Sequence, residues 1–94
     1  MKVYNMTSPR TGKAVANQFI ITDEDKTFFQ SYSTTIAVFD AFDLTLDNEA
    51  EHYSKTTSKY LWKFLCTYYA ANLRETTLKE FLKSGIYRRA DLNA

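Results

Sequence analysis

His52 and Cys66 are the two side chains of this chain most often found in catalysis or metal binding. A histidine beside a cysteine can draw off the thiol proton and leave a nucleophilic thiolate. Here Cys66 stands among Phe64, Leu65, Tyr68 and Tyr69, where a cysteine behaves as a small buried hydrophobe. Zinc takes three or four protein ligands, and one His with one Cys does not supply them. The consecutive acids Asp23, Glu24 and Asp25 offer oxygens to a divalent cation, although adjacent acids in a loop are ordinarily just solvated. Two glycines in 94 residues cannot build a phosphate-cradling loop. No catalytic residue, metal site or cofactor is therefore expected, and the chain does not read as an enzyme.

Charge is more informative than reactivity. Formal net charge is +1, well short of a dedicated nucleic-acid binder, but its distribution is uneven. Residues 1–22 hold Lys2, Arg10 and Lys13 and no acid, whereas residues 23–52 set Asp23, Glu24, Asp25, Asp40, Asp43, Asp47, Glu49 and Glu51 against Lys26 alone. Asp23, Glu24, Asp25, Asp43 and Asp47 are candidate contacts for a basic partner surface, since charge complementarity speeds encounter and selects the partner. Lys55, Lys59 and Lys63 recur at i, i+4 and i+8 on one helix edge, with Trp62 and Tyr69 beside them. That edge is a second candidate partner surface. Together with Arg88 and Arg89 it could also track a phosphate backbone.

The elements that must position these groups read as one α+β domain over residues 1–94. TSPRTGK (7–13) is a turn cluster with the only Pro and one of the two glycines. Residues 17–22, 27–32 and 35–39 are rich in β-formers, and Phe42, Leu44 and Leu46 alternate with Asp43, Thr45 and Asp47. These runs predict a three- to four-stranded antiparallel sheet over about 17–47. The DEDK loop lacks an Asn-Gly or Asp-Gly pair, so a hairpin loop longer than two residues is expected there. Ile36 and Val38 should share one sheet face, with Ala37 and Phe39 on the other. A long helix follows over about 55–72, apolar around so much of its circumference that it needs cover on two sides. Thr77-Leu78-Lys79-Glu80 is a capping box opening a short helix over 77–84. Gly85 is placed to end it, with Ile86 folding back on Phe81, and its apolar face should dock on the long helix. A lone cysteine and the lack of a leader or an ~18-residue apolar span lead us to expect a soluble cytoplasmic protein with no membrane partner.

SPRTGKAVANQFII (8–21), FFQSYSTTIA (28–37), YSKTTSKYLWKFL (53–65) and LKSGIYRRADLN (82–93) together resemble a family of small, uncharacterised phage and prophage proteins. The shared pattern is G-K-x-V-A-N-Q, then F-Q-S-Y, Y-S-x-T-T-x-K-Y and a closing L-N. This chain departs from it at His52 and in the longer stretch 66–77. The resemblance implies a phage accessory protein in the cytoplasm of a bacterial host. Such a protein would act by stoichiometric binding to a host protein or defence ribonucleoprotein complex, as an anti-CRISPR-like inhibitor does. The alternatives are a nucleic-acid-binding module on the Lys/Arg stripe, and a structural or virion-assembly protein that self-associates, for example as a homodimer, through the Trp62 and Tyr69 side. The polar blocks Asn17-Gln18, Gln30-Ser31-Tyr32 and Ser54–Thr57 serve either strand ends and helix caps or a shared polar surface.

Overall fold

A computed structural model describes residues 1–41, 43–70, 73 and 75–93. The chain forms a six-stranded mixed sheet in the order β1-β2-β3-β4-β5-β6 with two short helices on one face. The strands are β1 (Lys2–Thr7), β2 (Ala14–Asp23), β3 (Lys26–Ser31), β4 (Thr34–Asp40), β5 (Asp43–Asp47) and β6 (Arg88–Ala90). The helices are α1 (Lys55–Phe64) and α2 (Leu78–Ser84), with a π-helical turn at Leu65–Tyr69. This overturns the expected three- to four-stranded antiparallel sheet with a long helix. β1 adds a strand before residue 17 by pairing with β2 and burying Met6. β6 adds another after the helices and runs parallel to β5.

The first five strands form a meander whose last three hairpins are tight, which corrects the longer loop expected at DEDK. Asp23 pairs with Lys26, Ser31 with Thr34 and Asp40 with Asp43, leaving two residues in each turn. Left-handed backbone permits this, at Glu24 (φ 55°), Tyr32 (φ 56°) and Ala41 (φ 55°). The absence of Asn-Gly concealed these turns, because non-glycine residues carry the positive φ at a cost of about 1–2 kcal/mol each. Phe42, where the alternation of β5 was expected to begin, lies outside the described residues. Ala41→Gly and Tyr32→Gly should each gain roughly 0.5–1 kcal/mol, the relieved strain exceeding the added unfolded-state entropy. Thermal unfolding would read this as a rise of a few degrees, and an unchanged or lower Tm would refute it.

On the helix-covered face the cross-strand row Ile20–Phe29–Ala37–Leu46 meets Leu61, Phe64 and Leu65, all fully buried. Phe29 and Phe64 stack at 5.8 Å. A bulge between the Phe29–Ala37 and Gln30–Thr35 pairs leaves Ile36 as the extra residue. Ile36 and Ala37 are therefore both fully buried, which replaces the strict alternation expected of this strand.

α1 starts at Ser54, whose hydroxyl accepts from the Thr57 amide at 3.2 Å. Three consecutive buried residues, Phe64, Leu65 and Cys66, do not fit the single face of a narrow α-helix. The wider π turn accommodates them, ending on the 3.0 Å bond from Ala70 N to Leu65 O. Ala70 is extended (φ −155°), so the helical run ends at Tyr69; residues 71 and 72 of the expected helix lie outside the described residues. Thr77 caps α2 through the Glu80 amide (3.2 Å), and Gly85 closes it at φ 68°. α2 docks on the surplus apolar arc of α1 as expected, with Phe81 6.4 Å from Trp62 and 6.0 Å from Tyr69. Tyr87 stacks on Phe81 at 5.3 Å in the place expected for Ile86, which is exposed. Among the described residues no helix is long and apolar enough to cross a membrane.

Candidate functional site

Both helices lie on one side of the sheet, so its other face is uncovered. Opposite faces alternate along each strand, and three strands carry apolar doublets: Ile20-Ile21, Phe28-Phe29 and Ala37-Val38. Ile20, Phe29 and Ala37 enter the core, so Ile21, Phe28 and Val38 must project outward. The register aligns them as one row, Val3–Ile21–Phe28–Val38–Thr45–Arg88. Ile21, Phe28 and Val38 are half-buried and Val3 is exposed. The solvated face of an antiparallel sheet is ordinarily polar; an apolar row across one is the kind of patch that marks an interaction surface.

The next row on this face is Asp23–Lys26–Asp40–Asp43. Asp23, Glu24, Asp25, Lys26 and Asp40 line a shallow depression of about 250 Å³. Arg88 Nε stands 3.9 Å from Asp43 Oδ1, both side chains largely exposed, a pairing that contributes little to stability. Four of the five predicted acids, Asp23, Glu24, Asp25 and Asp43, thus gather at one end of the sheet. Asp40 joins them, a residue the sequence reading counted as acidic but did not select. The outward apolar row was missed too, although the doublets announce it, since away from a bulge neighbouring residues of a strand do not both face one core.

Asp47 does not belong to this rim. It is 4% exposed, at the far end of β5. Its carboxylate accepts from Tyr53 Oη (2.8 Å), Leu92 N (3.0 Å), Glu49 N (3.2 Å) and Asn93 Nδ2 (3.3 Å). Burial pushes its pKa up, but those hydrogen bonds outweigh the burial and leave it below the ordinary carboxylate value. Burial, then the bond to Asp47, raises the Tyr53 hydroxyl well above the usual tyrosine range. Asn93 also exchanges two bonds with the Thr35 backbone, Thr35 N to Oδ1 at 2.7 Å and Nδ2 to Thr35 O at 2.9 Å. Its amide substitutes for the strand that β5 stops supplying. Asp47 is therefore a clasp for the C-terminal segment.

The second candidate surface is divided. Lys55 and Lys59 are exposed along α1, and Lys63 donates from Nζ to Thr7 O and, at 3.1 Å, to Thr7 Oγ1. Trp62 and Tyr69 turn instead towards α2, and Tyr69 also meets Phe39 edge-on at 5.6 Å. Arg88 and Arg89 sit on β6, across the sheet from β1. Arg89 bonds Glu51 and the Asn48 carbonyl (3.0 Å) and lies over the Tyr87 ring. The five-cation stripe is not one surface.

His52 is exposed in the segment after β5, while Cys66 is buried in the π turn. Among the described residues no group of three or more His, Cys, Asp or Glu converges as metal ligands. The three polar blocks meet at the N-terminal end of α1. Ser31 Oγ lies 3.0 Å from Thr57 Oγ1, Gln18 is buried directly across from Ser31, and Tyr32 N donates to Asn17 O at 2.6 Å. Most of these contacts serve turns and the helix cap.

The architecture is that of a small two-layer α+β domain with one uncovered, acid-rimmed sheet face. Residues 1–82 match a family of unknown function, DUF8033, and the chain belongs to that family. No curated protein and no solved structure matches it.

Proposed function

We propose that the domain acts without catalysis, by stoichiometric binding of a protein partner on the uncovered sheet face. The observation that carries this reading is the outward row Ile21–Phe28–Val38 bordered by Asp23, Asp40 and Asp43. Such a surface suits a partner that presents apolar side chains beside Lys or Arg, the apolar row supplying affinity and the acids register and encounter rate. The narrower reading, a phage-encoded inhibitor acting on a bacterial defence complex in the host cytoplasm, is supported by the likeness of four sequence blocks to small phage proteins. Self-association through Trp62 and Tyr69 has less in its favour, because Phe81 occupies that side.

Tagged protein retained on a column with nuclease-treated bacterial lysate should hold one host protein or complex at stoichiometric yield. Asp23→Lys/Asp25→Lys/Asp43→Lys should weaken that retention about tenfold or more, with an unchanged circular dichroism spectrum. Phe28→Ser should weaken it comparably, since Phe28 lies outside the core. Retention that survives both changes would exclude this face.

A further inference from the structure

We propose that the opposite flank of the molecule, formed by β1, the loop after it and α1, binds single-stranded nucleic acid. This site is distinct from the acidic face and stands without the protein-binding reading. The topology sets together two stretches far apart in sequence that share one property. Residues 2–13 and 55–69 contain Lys2, Arg10, Lys13, Lys55, Lys59 and Lys63 and not one Asp or Glu. Lys63 joins them by bonding Thr7. All of the chain's acids lie on other elements; Lys2, paired with Thr22, stands at the Asp23 end of the sheet, but no acid lines the surface around Lys59 and Lys63.

Two adjoining depressions of about 350 and 280 Å³ run along the junction and share Lys63 and Thr67. Pro9 and Trp62 line the first, and Tyr4 and Tyr68 the second. Tyr4 is 50% and Tyr68 42% exposed, and the Tyr68 ring is held against Phe64 at 5.3 Å. Lysines that track phosphates beside fixed, accessible rings on which bases stack are what a sequence-tolerant single-strand site requires. An acidic polypeptide would satisfy the lysines but leave the rings without a stacking partner. A duplex keeps its bases inside and would leave them equally unused.

The test is fluorescence anisotropy with a labelled oligothymidylate of about 15 nucleotides, titrated at several salt concentrations. With three to four phosphate contacts, log K should fall against log salt with a slope of about −2 to −3. Lys13→Glu/Lys59→Glu alters exposed side chains; it should weaken binding about tenfold or more and flatten the slope by about 1.4. Tyr4→Ala and Tyr68→Ala should each cost about fivefold or more with the slope unchanged. Asp23→Lys/Asp25→Lys/Asp43→Lys should leave this binding intact or tighten it, which separates failure here from failure of the acidic face. No binding up to about 100 µM protein at low salt would overturn the proposal. So would displacement by polyglutamate together with indifference to both tyrosine changes, which would assign the flank to an acidic polypeptide.

Discussion

Asp47→Ala should lower the melting temperature by roughly 10–20 °C, corresponding to about 3 kcal/mol. The carboxylate is buried and accepts four hydrogen bonds, from Tyr53, Leu92, Glu49 and Asn93. Removing it takes the shared acceptor from the half-buried Tyr53 hydroxyl, the Leu92 and Glu49 amides and the Asn93 side chain. Asp47→Asn keeps the shape but loses the charge and turns one acceptor into a donor facing donors, so it should recover less than half of the loss. The native carboxyl titrates below its unfolded value, so its contribution is complete above about pH 4 and is lost as pH falls through the lower native pKa. Tyr53 works in the other direction. Its native pKa is raised, so its contribution is complete below about pH 10 and is lost at higher pH. Urea unfolding against pH should show a plateau between these limits, with an acid limb that Asp47→Asn makes shallower. A Tm within two or three degrees of the parent for Asp47→Ala would refute the clasp.

Phe64→Ala should be the most damaging single change, at about 3–5 kcal/mol. Phe64 is fully buried, stacked on Phe29 of the sheet and in contact with Tyr68 of the π turn. Its removal opens a cavity where both layers and the turn meet. A domain of this size holds about 5–15 kcal/mol in total, so the variant should be partly unfolded at 37 °C. Phe64→Leu should cost about a third as much, because most of the volume remains. The midpoint of chemical denaturation checks both, and equal losses would show that the aromatic stack, not the filled volume, is the stabilising feature.

Much of the architecture was legible wherever local chemistry dictates geometry. The α2 start follows from a hydroxyl and a glutamate three residues apart, and its end from a glycine in the left-handed region. The meander from β2 to β5 follows from runs of β-formers with polar breaks. β1 was hidden because Lys2–Thr7 holds only three apolar side chains, and it becomes a strand by pairing with β2. β6 is Arg-Arg-Ala, with no local preference for a strand, and is held by partners more than forty positions away. Such long-range pairing leaves no periodic trace. The acidic rim was visible in Asp23, Glu24, Asp25 and Asp43 because charge segregation survives folding. Asp47 was grouped with them for the same reason, since an acid in a run of acids gives no sign that four donors await it. Trp62 and Tyr69 read as surplus because their cover, Phe81, comes from another helix.

The placement of β6 also makes the two layers interdependent. The hairpins of the meander close over six residues (8–13) at the first and two at each of the others, and constrain little of the chain. The pairing of β5 with β6 closes instead over the whole helical layer, since residues 48–87 lie between the two strands. The loop entropy of that closure is offset only when α1 and α2 already rest on the sheet. All three β6 residues are exposed, so the strand has no core anchor of its own and depends on its ladder to β5, the Arg89 contacts with Glu51 and Asn48, and the bonds of Asp47, Leu92 and Asn93. Loss of the helical layer therefore releases the last strand, and loss of the last strand loosens the span that holds the helices. A small chain gains in this way an all-or-none character that a simple meander, free to fray from its edge, would lack.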